Sequence, residues 1–170
     1  SYSAQDSNIS DMSVLRNTEL ISIGDFDGSY TNVIIADNNV LRTINFGETD
    51  DVTQLNLGVN PALETFSLNL IQAEGYPIDF STCPNLRTID FGFRGGDYGS
   101  IDISKNPLLE TLRAVDCGLT ALDVSANPLL TELEVERNPF TCIKVSEEQL
   151  GSIPTAWSKD ATANYALDCP

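Results

Sequence analysis

The chain of 170 residues has no histidine, one methionine and one tryptophan. Without histidine it lacks the commonest general base and the commonest metal ligand together. Neither a G-x-S-x-G nucleophile turn nor a G-x-x-x-x-G-K phosphate loop replaces them. Lysine and arginine are also scarce, nine against 25 acidic residues, for a net charge of −16. Nucleic-acid binders draw most of their affinity from cations set against phosphates, so nucleic acid and anionic membranes are excluded as partners. No apolar run approaches the roughly eighteen residues of a bilayer span, and no membrane insertion is expected. The first ten residues, SYSAQDSNIS, hold neither the basic segment nor the apolar stretch of a secretory signal, so any such signal is expected to have been removed already. Carboxylate pairs remain as a route to glycoside hydrolysis. Among 25 acids, however, some pair meets the required separation by chance. The expectation is a non-enzymatic protein with no catalytic residue, cofactor or metal.

What the chain does have is a repeat. NPLLETLRAVDCGLTALDVSA (106–126) and NPLLTELEVERNPFTCIKVSE (127–147) align without a gap over 21 residues. The register runs backwards through 83–105 and 60–82 (23 residues each), 38–59 (22) and 17–37 (21). Six units therefore tile 17–147, with 1–16 as an N-terminal cap or partial repeat and 148–170 as a C-terminal cap. Met12 and Val14 fill the positions that Ile101 and Ile103 fill later. A period near twenty residues predicts a solenoid, because so small a unit buries its apolar face only by stacking on its neighbours. The 41% apolar content suffices for one domain with a continuous core, and a monomer is expected.

Each unit holds two strand-like segments with alternating apolar residues. Segment A reads Leu109-x-x-Leu112-x-Ala114 and Leu130-x-x-Leu133-x-Val135; segment B reads Leu122-x-Val124 and Ile143-x-Val145. Stacked in register, they predict two parallel β ladders with right-handed crossovers. After segment B stand Asn17, Asn38, Asn60, Cys83, Asn106 and Asn127, followed by Pro in four of the six units. Buried side-chain amides there are expected to bond backbone groups of adjacent coils. This ladder favours B as the principal, concave strand.

Two windows, Leu119-x-x-Leu122-x-Val124-x-x-Asn127-x-Leu129 and Leu109-x-x-Leu112-x-Ala114-x-x-Cys117-x-Leu119, match the consensus L-x-x-L-x-L-x-x-N/C-x-L. The chain thus resembles the leucine-rich repeat family over about 130 residues, in particular the irregular 21-residue class of secreted and surface bacterial proteins, internalins among them. This resemblance favours A as the concave strand and leaves the choice open. It implies protein recognition or adhesion at a bacterial surface. The run Cys142-Ile143-x-Val145, Trp157, Tyr165 and Cys169 resembles the terminal cap of such proteins. On that basis a Cys142–Cys169 disulfide, a short cap helix starting at Ser146 and a location outside the cytoplasm are expected. Cys83 and Cys117, in ladder positions, are expected to be buried free thiols.

A scaffold repeats what folding needs, and a binding surface departs from the repeat. Segment B looks monotonous, with Asp79, Asp102 and Asp123 in one column and Ser81, Ser104, Ser125 and Ser146 in another. Length varies only in the A-to-B loops. They carry Phe26, Tyr30, Tyr76, Phe93 and Tyr98, and Arg94 and Arg113 add cations; together these seven residues are the candidate ligand-binding set. The alternative is that the rings pack over the ends of the core. A protein partner is the leading expectation, an extracellular glycan stacked on these aromatics the alternative, and a spacer with no ligand the third reading. Two further patterns carry less weight. The column Thr43, Thr65, Thr88 and Thr111 is ordinary strand chemistry before it is an ordered hydroxyl surface. Asp25-x-Asp27-Gly28 opens like a calcium loop, but Ala36 stands where the closing acid belongs.

Overall fold

A computed structural model describes the chain except for residues 1, 6–10, 28–31, 50, 51, 53, 71–76 and 93–96; for 2–5, 25–27, 48, 49 and 70 it describes the backbone only. The strands are β1 (Tyr2–Gln5), β2 (Asp11–Leu15), β3 (Ser22–Asp27), β4 (Asn32–Ala36), β5 (Thr43–Thr49), β6 (Gln54–Asn56), β7 (Thr65–Leu70) and β8 (Thr88–Asp90). Then come β9 (Gly99–Ser100), β10 (Thr111–Arg113), β11 (Leu119–Asp123), β12 (Glu132–Glu134) and β13 (Cys142–Lys144). The helix α1 (Glu147–Gly151) precedes β14 (Trp157–Ser158) and β15 (Asn164–Ala166). The fold is a parallel β-solenoid of about six turns with almost no helix.

Segment A forms one eight-stranded parallel sheet, in the order β1-β3-β5-β7-β8-β10-β12-β14. Segment B forms two shorter sheets, β2-β4-β6 and β9-β11-β13-β15, with residues 77–80 lying outside any strand between them. The longer, unbroken ladder is therefore A, although B carries the asparagines. Register preserves the repeat: Thr43 pairs with Thr65, Thr65 with Thr88, Thr88 with Thr111 and Thr111 with Glu132. Both ladders also run past the six units. Met12 pairs with Val33 at one end; at the other, Trp157 pairs with Leu133 and Tyr165 with Ile143.

Alternation places Leu41, Ile44, Phe46, Leu63, Phe66, Leu112 and Leu133 in a fully buried core with the B residues Ile35, Val124 and Ile143. Mid-array, Phe66, Phe80 and Phe91 pack edge to face with centroids 5.2 to 6.3 Å apart. Truncating a ring buried this way costs about 3–5 kcal/mol.

Turns recur as strictly as strands. The ladder residue's carbonyl accepts the amide of the leucine three places on, from Leu41 to Asn38 (3.2 Å) through Leu130 to Asn127 (3.1 Å). Proline at the second place of this turn has a fitting φ and gives up no needed donor. After segment B of the early coils the chain passes through left-handed backbone at Arg16, Asp37 and Gly58. At Gly58 a Cβ would overlap the Ala36 side chain, so that coil requires glycine.

The asparagine ladder satisfies the turns. Asn38 Nδ2 donates to Val14 O (3.0 Å), Asn60 to Ile35 O (2.7 Å), Asn106 to Phe80 O and Cys83 O (3.0 and 2.8 Å) and Asn127 to Ile103 O and Asn106 O (3.0 and 2.9 Å). In the early coils the side-chain oxygen works too: Asn17 N donates to Asn38 Oδ1 and Asn38 N to Asn60 Oδ1, at 3.0 and 3.1 Å. Cys83 interrupts the amides with a buried thiol, whose sulfur lies 3.9 Å from the Thr82 hydroxyl. Later, the amides of Asn106 and Asn127 turn to Ile103 O and Val124 O in their own coils. The Oδ1 atoms of Asn106 and Asn127 are then buried without a partner.

Candidate functional site

The outward residues of the eight-stranded sheet form three polar columns. At the strand entries, Arg42 pairs with Glu64 and Arg87 with Glu110, charges alternating from coil to coil. Next stand Thr43, Thr65, Thr88, Thr111 and Glu132. The third column runs Asn45, Ser67, Asp90, Arg113, Glu134 and Ser158. Arg113 is the pivot of this face. Its guanidinium hydrogen-bonds Glu132, reaches Glu134 at 3.3 Å and lies 3.6 Å from Asp90, with all four side chains partly buried. Glu132 also accepts from the Thr111 hydroxyl (3.3 Å). The bond from Glu132 holds the Arg113 proton more tightly than usual, and Arg113 in turn holds the Glu132 carboxyl below its ordinary range. Three carboxylates around one cation leave a rigid patch of net negative charge.

Arg113 therefore lies on the outward sheet face, bonded within the protein. Of the other residues in the candidate ligand set, Tyr98 lies on the short connection into β9. Its ring packs against the core with its centroid 4.9 Å from that of Phe91. Burial, and Cys117 nearby, raise its phenol above the ordinary value. Phe26, expected in a loop, belongs to β3, where its backbone pairs with Ala4. Tyr30, Tyr76, Phe93 and Arg94 lie outside the described residues.

The aspartate column of segment B has a local role. Asp79, Asp102 and Asp123 Oδ1 accept the amides of Ser81, Ser104 and Ser125 at 2.8, 3.0 and 2.9 Å. Each closes an Asx turn at the end of segment B. Lys144 takes the next place and pairs with Asp123 at 3.3 Å. Among the described residues no three His, Cys, Asp or Glu side chains converge as a metal cluster.

Cys142 and Cys169 form a disulfide with Cα atoms 5.7 Å apart. Cys83 and Cys117 are buried free thiols; burial raises both, Cys117 to about 12. Two rungs were not anticipated. Asn138, 21 residues after Cys117, donates to Ala114 O and Val135 O (2.7 and 2.9 Å) and accepts the amides of Cys117 and Leu119 (3.1 and 2.9 Å). Gln149 on α1 donates to Val124 O and Asn127 O, both at 3.0 Å, as an asparagine in the next coil would. Its Oε1 accepts the Ser146 amide (2.8 Å) while Ser146 Oγ accepts the Gln149 amide (3.2 Å), a capping box.

No protein-family model, no curated protein and no solved structure matches the chain.

Proposed function

We propose that this chain is a non-enzymatic binding module, a leucine-rich-repeat solenoid that recognises a protein partner outside the cytoplasm, at a bacterial surface. The observation that carries the reading is the Arg113 patch. Its groups are already fixed by mutual bonds on a continuous sheet, so a partner meets them without an ordering penalty. The column beside it is mostly threonine, and Asn45, Ser67 and Ser158 complete its own, short side chains that allow close approach there. Three carboxylates against one guanidinium, on a chain of net charge −16, select a partner with a basic face. The disulfide supports an oxidising location. No helix among the described residues is long and apolar enough to cross a membrane.

The test uses a photo-crosslinking amino acid placed at Thr65, beside the patch, and separately at Asp102 on the B side. Each is exposed to intact bacterial and host cells and to their surface-protein extracts. The reading expects defined adducts from position 65 that weaken with salt and vanish when Glu132 and Glu134 are changed to Lys. Equal labelling from position 102, or no adduct from either, would overturn it and leave the spacer reading. Glycan binding by loop aromatics has less support, since Tyr98, the one ring of that set with a described side chain, packs inward.

A further inference from the structure

The B side departs from its own pattern in the first three coils. Where later coils carry Asp79, Asp102, Asp123 and Lys144, these carry Ser13, Ile34 and Asn56, paired in register. One pleat back, Asp11 pairs with Asn32 and Asn32 with Gln54. These two rows and Pro77 line an open groove of about 770 Å³, above the inward-facing Met12, Val33 and Leu55. That volume lies within the range of small-ligand sites.

We infer that the groove on β2, β4 and β6 binds an uncharged, linear, β-linked polysaccharide. Two amides in one row, with a third amide and a hydroxyl in the other, give donors and acceptors side by side, the pairing that vicinal sugar hydroxyls require. Asp11, the one carboxylate among the described lining residues, already accepts from Asn32 Nδ2 at 2.6 Å, which holds both side chains in place. Ile34, 37% exposed between the two polar neighbours in its row, and Pro77 at the rim offer apolar surface to the C–H face of a sugar ring. Charge narrows the choice further. No Lys or Arg is among the described residues that line the groove, and the acidic chain repels uronates and phosphates, so an anionic ligand is disfavoured while a neutral one is not. A peptide added as a further strand would need an unpaired strand edge, whereas this surface is a sheet face of side chains. Neighbouring strands lie about 4.8 Å apart. The sugar repeat of an extended β-linked glycan is close to that spacing, so a chain laid across the strands sets about one sugar over each coil, successive sugars being turned relative to one another.

This site lies on a different sheet from the Arg113 patch and does not rest on the protein-recognition reading. The test is calorimetric titration of the whole chain with hexasaccharides of β-1,4-glucan, xylan and mannan, with oligogalacturonate as the anionic comparison. Because the groove is open, affinity is expected to be weak, with Kd on the order of 0.1–1 mM for at least one neutral ligand. Asn32→Ala/Gln54→Ala/Asn56→Ala should weaken it at least about tenfold. Ile34→Glu, which keeps every amide and obstructs the floor, should do the same. Thr65→Ala/Thr88→Ala on the other sheet should change nothing. Silence from all three neutral ligands at millimolar concentration, binding that survives Ile34→Glu, or a preference for oligogalacturonate would each overturn the inference.

Discussion

Replacing Gln149 by Leu tests whether the side chain of a helical residue is the last rung of the amide ladder. Gln149 is 8% exposed and makes three side-chain hydrogen bonds: to Val124 O, to Asn127 O and from the Ser146 amide. Both carbonyls keep another donor, Asn127 N at 3.0 Å and Leu130 N at 3.1 Å, so neither is orphaned outright. Three bonds at roughly 1 kcal/mol each, less about 1 kcal/mol regained by burying leucine, leave a loss of about 2 kcal/mol. For a chain of this size that lowers Tm by about 4–8 °C. Gln149→Glu separates the rung from mere packing. It keeps the acceptor for Ser146 but sets a carboxylate against two carbonyl oxygens, which raises its folded pKa above the unfolded value of about 4.3. The protonated form then bonds as the amide does. The deficit of this variant should be largest at neutral pH and shrink as pH falls through the raised folded value. Thermal melts of the oxidised protein at pH 7 and pH 4.5 decide the matter. A Gln149→Leu protein melting within about 1 °C of the parent, or a Gln149→Glu deficit independent of pH, would refute the rung.

Cys83→Asn should fill the gap in the ladder with donors to Leu57 O and Asn60 O, by the pattern Asn106 sets one coil later. A gain near 1 kcal/mol, or about 2–4 °C in Tm, is expected, and a lower Tm would show that the site is shaped for sulfur. Opening the Cys142–Cys169 bridge, which spans 27 residues, should cost about 3.5 kcal/mol on the chain-entropy model, read from denaturation midpoints of a Cys142→Ser/Cys169→Ser protein. The deep burial of Cys83 and Cys117 predicts no thiol labelling of the native protein; two labels should appear on unfolding and four after reduction as well. Serine hydroxyl and amide bonds hold Asp79, and amide and hydroxyl bonds hold Asp102, below the ordinary aspartate value. Their contribution to stability is therefore complete above the unfolded pKa of about 3.9 and is lost as pH falls through the folded values. Asp102→Ala should flatten the acid limb of a Tm–pH curve, and an unchanged limb would dissociate the Asx turns from stability.

The solenoid and the Asn38, Asn60, Asn106 and Asn127 rungs were legible in the sequence because both obey one period with one residue type. Asn138 and Gln149 kept the period, 21 residues after Cys117 and 22 after Asn127, but changed the residue type, and Gln149 also sits in a helix whose cap already explained it. Likewise Trp157 and Tyr165 extend both ladders, hidden because the residues between them lack the leucine pattern. Which ladder runs unbroken was not legible, because the asparagines stabilise B's turns rather than its strands. For Tyr98 the reason is another. A loop ring carries no mark of which way it turns, and Tyr98 turns inward onto Phe91. The groove was missed because the aspartate column was read from the third unit onward, where it is regular, and not in the first coils, where Ser13, Ile34 and Asn56 break it.

The two proposed surfaces differ most in their electrostatics, and ionic strength should separate them. Of the chain's few cations, Arg16, Arg42, Arg87, Arg113 and Lys144 are engaged by acids of the chain, so the field over the eight-stranded sheet is set by the surplus carboxylates. A basic partner drawn to that field acts over distances that salt screens, with a Debye length of about 10 Å at 0.1 M and about 3 Å at 1 M. Its association rate should fall steeply across that range while its dissociation rate changes little. A neutral glycan in the groove exchanges hydrogen bonds and apolar surface with no counter-ion to release, so its affinity should be almost flat in salt. Surface plasmon resonance for a protein partner and calorimetry for the oligosaccharide, each repeated from 50 mM to 1 M NaCl, compare the two directly. A salt-insensitive protein contact would remove the Arg113 patch from recognition. Glycan binding that fell with salt as steeply as the protein contact would mean the groove is reading charge, contrary to a lining whose one described carboxylate, Asp11, is already bonded to Asn32.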